Sequence, residues 1–220
     1  MKKIHIILIF ILFGLLISNA VPAEREKQPR NKITHTISAD QAAESHNKDI
    51  EIAVQNDGEQ IIVDATFTVP VKPQRAWETL TDFDNVSNFM TSVQSSKIIN
   101  RTGNTLHVSQ KSIIKFSFLT FSFKSVREIN LFPFKKIQER MISGSVREME
   151  ETTLLLPEGD QTRIIYHASI IPDVWGLIFV GEIFIEYEVR EQFQELIEEI
   201  FRREQVGYQQ GVVMNTPSIR

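Results

Sequence analysis

The sequence predicts an α+β protein: a bent antiparallel sheet of about seven strands wrapped around one long C-terminal helix, with two short helices after the first strand. Three observations carry this. Between Glu182 and about Glu204, Ile185, Val189, Phe193, Leu196, Ile197, Ile200 and Phe201 recur at steps of three and four, while Glu186, Glu191, Glu195, Glu198 and Arg202 fill the other side. After Ser95, strand signals separated by turn residues continue for about 75 residues. The connections between those strands are too short for parallel crossovers, so the sheet is antiparallel. The helix would be roughly 35 Å long at 1.5 Å per residue, and its apolar stripe needs a wide surface to lie against.

At the N-terminus, Lys2 and Lys3 precede an apolar run from Ile6 to Ile17, and small residues follow up to Ala23. This has the form of a secretory signal peptide, residues 1–23, which predicts a periplasmic mature protein. The alternative is a retained membrane anchor facing the periplasm, against which stands a run shorter than the ~20 residues a spanning helix needs. Residues 24–48 are rich in Glu, Lys, Arg, Gln, Asn and Ser and hold little that could be buried, so a flexible arm is expected. His35 and His46 lie in it without a second ligand at metal-binding spacing.

The folded domain is expected over 49–204, with a disordered tail over 205–220. Ile50, Ile52 and Val54 alternate with polar residues, a turn follows at Gln55 to Glu59, and Ile61, Val63, Ala65, Phe67 and Val69 alternate again. That is a β-hairpin. Pro73 suits the first turn of a helix carrying Ala76, Trp77 and Leu80, and Asp84 could cap a second short helix holding Val86, Phe89 and Met90. Strands follow at 96–100, 104–115, 119–131, 134–142, 146–156 and 161–171.

Composition narrows the function. The formal charge of −4 falls to −6 if a leader carrying Lys2 and Lys3 is lost, leaving 22 basic residues against 28 acidic. No basic cluster exists to neutralise phosphates, so nucleic acid is not an expected partner. With no cysteine, disulfides, thiolate metal sites and a Cys nucleophile are excluded.

The segments VDATFTVPVKPQRAWETLTDFDNVSNFM and VREMEETTLLLPEGDQTRIIYHASIIPDVWG, together with the final helix, resemble the START-like (SRPBCC) superfamily. Within it they are most similar to the polyketide cyclase/dehydrase and lipid-transport branch, in a coenzyme Q-binding-protein-like pattern. Its most telling pieces here are Trp77 to Phe83 followed by Phe89 and Met90, and Pro172 to Trp175. The resemblance covers about residues 48–204 and implies a helix-grip fold with an apolar cavity between sheet and helix.

Taking the apolar parity of each strand as inward gives candidate ligand-binding residues. These are Val108, Gln110 and Ser112; Phe123, Ser125 and Arg127; Glu151 and Thr153; and Tyr166, with Val189 and Phe193 from the helix. Most inward positions are apolar, and a few convergent polar groups in such a lining are what a small-molecule site requires. Alternatively these groups satisfy one another, or a bulge reverses parity and turns Arg127 and Glu151 to solvent. An inward Arg127 needs Glu151 or an anionic head group beside it. The phenylalanines of Phe116 to Phe123 and the run Trp175 to Val180 suggest a greasy rim and transient membrane contact, or else simple burial.

Catalytic motifs are absent: no Gly-x-Ser-x-Gly, no His-Glu-x-x-His, no phosphate-binding glycine loop. His107 and His167 fall on the outward parity, Glu139 and Glu151 have no fixed separation, and the acidic stripe of the last helix reads as its wet face. No metal or cofactor is expected. The sequence therefore predicts a periplasmic protein holding a lipid- or quinone-like molecule; the alternative is a cyclase or aromatase using Arg127, Glu151 and Tyr166 on a polyketide-like chain. A third possibility is an interaction protein recruiting a partner through its arm or tail.

Overall fold

A computed structural model of the chain describes residues 50–116, 119–172 and 182–214. The first two strands form the predicted hairpin, β1 (Glu51–Asp57) and β2 (Gln60–Val69), joined at Gly58, whose φ of 66° is one that glycine adopts without strain. In β2 the alternation is realised in full: Ile61, Val63, Ala65, Phe67 and Val69 are buried and the residues between them are not. The chain then leaves the sheet through α1 (Pro73–Leu80), which opens with proline at its first position and buries Ala76 and Thr79.

The second expected helix is instead a single 3₁₀ turn, Val86–Asn88. Asp84 does not cap it: its Oδ1 accepts from the Ile98 backbone N–H at 2.8 Å, and Asn85 at the cap position makes no side-chain capping bond, its Nδ2 donating instead to Asp82 Oδ1 at 2.8 Å. The two helical pieces follow β2 rather than the first strand, because β1 adds an edge strand before them.

The rest of the sheet is one meander: β3 (Val93–Thr102), β4 (Thr105–Phe116), β5 (Leu119–Phe132), β6 (Lys136–Gly144), β7 (Val146–Glu158) and β8 (Gln161–Pro172). The eight strands are the two of the hairpin and the six read after Ser95, one more than the round figure of seven, in the order β1-β2-β8-β7-β6-β5-β4-β3, every pairing antiparallel. The crossover through α1 takes the chain from β2 to the far edge, and the meander brings it back until β8 pairs with β2. Irregularities at Val93/Ser95, Ile98/Asn100, Val126/Arg127 and Val146/Glu148 bend the strands.

Across this sheet lies α2 (Glu182–Met214). It continues past the expected end near Glu204, so residues 205–214 are helix rather than disordered tail. No proline occurs before Pro217, and nothing in that stretch stops the backbone ladder. Leu196, Ile197 and Ile200 are buried with Phe67, Val69, Leu155 and Ile164, and nearer its start Ile185 and Val189 pack on Ile61, Val63 and Ala168. Phe193 sits between these groups, its ring 4.9 Å from Phe67 and 5.2 Å, edge-on, from Tyr166.

The acidic side of α2 is not simply wet. Glu195 accepts from the Thr91 backbone N–H at 3.0 Å, Glu204 from Arg75 at 2.8 Å, and the buried Glu199 from Arg202 and Arg203 at 2.6 Å. Arg203 also reaches Asp82 at 2.8 Å, and Arg190 donates to the Ile50 carbonyl at 2.8 Å. Those to Thr91, Arg75, Asp82 and Ile50 tie the middle of the helix to the chain on either side of it. Hydrogen bonding from Arg202, set against some burial, holds the Glu199 carboxyl below its ordinary value.

The leader, the arm and the run Trp175 to Val180 lie outside the described residues. Among those described, no helix is long and apolar enough to cross a membrane.

Candidate functional site

Between α2 and the sheet is a cavity of about 410 Å³. Its closed end is set by a second core in which Phe83, Leu106, Val108, Ile129, Leu131 and Ile137 pack together, with Trp77 and Leu80 of α1 against them. Up the strands from that core, inward positions stop meeting across the sheet. Gln110, Ser112, Phe123, Ser125, Arg127, Glu151, Thr153 and Tyr166 line the space, and Val189 and Phe193 close it from the helix. Val108 does not. It is fully buried beside Leu106 and Ile129, one inward position too deep, so parity assigned its side correctly but its depth wrongly.

The register explains why the polar members converge. Arg127 pairs across β4/β5 with Val108, and Gln110 with Ser125, so the guanidinium reaches along the face to Gln110, whose Oε1 accepts from Nη2 at 2.8 Å. Gln110 Nε2 donates in turn to Ser112 Oγ at 3.0 Å. On the other side Glu139 of β6 stands opposite Glu151 of β7, and Thr153 opposite Tyr166 of β8. The β5/β6 irregularity leaves Ile142 without a partner, half-exposed, while Met141 and Glu139 keep the inward face. The bulge thus falls on β6 and does not turn Arg127 outward.

Glu139, rather than the expected Glu151, is the main partner of Arg127. Arg127 Nη1 is 2.8 Å from Glu139 Oε2 and 3.9 Å from Glu151 Oε2. The closer contact is a charge contact off the N–H direction, because Glu139 Oε2 and Arg127 Nε are both left without a hydrogen-bond partner. The three side chains retain between 11 and 16% of their surface, which faces the cavity they line.

Two carboxylates and one guanidinium, each largely removed from water, cannot all keep ordinary proton affinities. Burial, reinforced by the charge of Glu139, raises the Glu151 carboxyl from 4.5 to about 7, against the opposing pull of Arg127 and a hydrogen bond with Tyr166. The Tyr166 hydroxyl is pushed well above its usual value, by burial first and then by Glu151 and Glu139. For Arg127, burial acts to release the proton, and the two carboxylates more than offset it, so the guanidinium stays charged. Near neutral pH the cluster therefore keeps its guanidinium charged beside a Glu151 carboxyl poised to ionise.

The apolar wall comes from Phe89, Met90, Met141, Met149 and Phe184 among others; Met149 shares the inward parity of Glu151 and Thr153, and none of the five is among the candidate ligand-binding residues. The sequence points to Glu139 only as half of a possible carboxylate pair with Glu151 and not as a lining residue, although Ile137, Glu139 and Met141 at alternate positions mark the inward face of β6. His107 and His167 lie on the opposite face as expected, against Glu128 at 3.5 Å and Asp64 at 2.7 Å. Among the described residues no cluster of His, Asp and Glu is arranged to hold a metal ion.

Comparison with solved structures places the fold among known ones. A STAR-related lipid transfer protein from Xanthomonas axonopodis is 10% identical, with a TM-score of 0.59 over 70% of this chain and 94% of that one. The Zhui aromatase/cyclase of a Streptomyces species is 15% identical, with a TM-score of 0.53 over 66% of this chain and 95% of that one. A START superfamily protein from Mycobacterium smegmatis is 15% identical, with a TM-score of 0.52 over 66% of this chain and 98% of that one. Comparison with curated protein sequences finds no relative. The family described as polyketide cyclase / dehydrase and lipid transport matches residues 69–197. That span runs from the end of β2 to the middle of α2, includes every strand and loop that lines the cavity except the first hairpin, and is more than half of the 220 residues. The chain belongs to the polyketide cyclase / dehydrase and lipid transport family, within the START-like superfamily.

Proposed function

We propose that this protein is a binding protein for a hydrophobic or amphipathic small molecule, lipid- or quinone-like, held between the sheet and α2. The observation that carries this is the cavity of about 410 Å³, walled mainly by apolar side chains and provided with a few convergent polar groups. A hollow of that size forfeits packing contacts along its whole lining, a cost that a fold retains where the space is used. The leader-like N-terminus supports action in the periplasm, after export and removal of residues 1–23 or while tethered by them. Native mass spectrometry of the protein purified from its own host tests the reading: a bound small molecule is expected, and a consistently empty protein would count against it.

One feature favours a second reading, a cyclase- or aromatase-type enzyme. Glu151, raised to about 7, touches Tyr166 and lies near Arg127, so it could take and return a proton near neutral pH while the cavity folds a polyketide-like chain. Turnover of a poly-β-ketone substrate, abolished in Glu151→Gln, would establish it. The export signal stands against it, because carrier-tethered chains of that kind are made in the cytosol.

A further inference from the structure

Building on the ligand-binding reading above, we infer that the cavity takes a neutral amphiphile whose inner end carries a hydroxyl, and rejects the same apolar body ending in a carboxylate. The floor of the cavity decides this. Below it Leu106, Val108, Ile129 and Ile137 are closed core, so a guest lying along the strands meets Arg127, Glu139 and Glu151 at its inner end.

Two carboxylates there share one guanidinium. Arg127 already places Nη1 against Glu139 and gives Nη2 to Gln110, with Glu151 3.9 Å away, so no cation remains for an incoming anion. Lys124, the other cationic residue of the lining, is exposed and of opposite strand parity to Arg127, so it serves the rim and not the floor. Across the cavity α2 contributes another carboxylate, Glu188, and the Asp82 carboxylate is engaged by Arg203. A buried carboxylate without a cationic partner is strongly disfavoured.

A hydroxyl meets no such penalty, and unlike a carboxylate or an ammonium it both donates and accepts. The floor lacks one of each: Glu139 Oε2 has no donor and Arg127 Nε no acceptor. Both atoms lie just beneath the wall, so a ligand would reach them by drawing the pair round through a side-chain rotation. The hydroxyls of Ser125, Thr153 and Tyr166 on the lining can act in either sense without movement of the backbone.

The test is equilibrium dialysis of the purified chain with 1-dodecanol and with dodecanoate, which share one apolar body and differ at the end group. Dodecanol should be retained at least about tenfold more tightly, and Glu139→Gln, which frees Arg127 from its partner, should narrow or invert that ratio. Dodecanoate binding the unaltered chain as well as dodecanol overturns the inference while leaving the ligand-binding reading in place. Retention of neither compound overturns both. The ratio in the unaltered chain decides the matter even if the variant fails to fold.

Discussion

Arg127 and Glu139, twelve residues apart in sequence, meet across β5 and β6 with Nη1 2.8 Å from Oε2, at the floor of a cavity otherwise walled by apolar side chains. The pair is bought by a one-residue irregularity in β6, which keeps Glu139 and Met141 facing inward. Its consequences can be measured directly.

Replacing Arg127 with Met should be severe, since it leaves Glu139 and Glu151 opposed and buried with no compensating charge. Breaking such a pair costs about 3–5 kcal/mol near pH 8, read from urea denaturation. Near pH 5 the loss should shrink, because Glu151 then carries a proton and the repulsion falls away. An equal loss at both values would mean that the guanidinium acts through packing alone.

Glu151→Gln should stabilise the protein at alkaline pH. The folded-state value of about 7 lies above the ordinary 4.5, so between those limits the folded chain holds a proton that the unfolded chain has released. This contribution to stability is fully present below 4.5 and is lost as pH rises through 7. A neutral amide removes that loss, giving on the order of 1–3 kcal/mol at pH 8 and a flatter stability profile across the window. A variant whose profile parallels the unaltered chain would place the titration elsewhere.

Phe193→Ala removes the ring that α2 lays against Phe67 and Tyr166 and enlarges the cavity. The expected cost is about 3 kcal/mol, visible as a lower thermal midpoint. A long apolar ligand added in excess should recover part of it by filling the space.

Gly144→Ala tests the backbone on which the floor depends. A Cβ at this position would stand 2.3 Å from the Lys124 carbonyl oxygen, so β5 and β6 would have to part. A destabilisation of about 1–3 kcal/mol is expected by chemical denaturation, although the residue is exposed.

Much of this was legible in the sequence, for reasons that differ by element. The stripe of α2 repeats over several turns, and burial of Leu196, Ile197 and Ile200 follows from its spacing. Strand alternation fixes which side of the sheet a residue takes, so Gln110, Arg127, Glu151 and Tyr166 were found on the cavity face without any knowledge of pairing. Alternation does not say how far along a strand the hollow begins, and Val108 was placed in it when the core closes just below Gln110. Nor does it say which acidic residue meets Arg127. That depends on register and on the β6 irregularity, both set by the whole sheet. Charged residues on α2 misled for another reason: Arg202 and Arg203 carry long apolar stems, which let Glu199 be buried and still be paired.

The most direct test of the account is the mass of the intact protein taken from its own host under native conditions, alongside that of Ser125→Trp, in which an indole would occupy the cavity. A single small-molecule adduct is expected on the unaltered protein and none on the variant. A bare mass for the unaltered protein, or the same adduct on both, would contradict it.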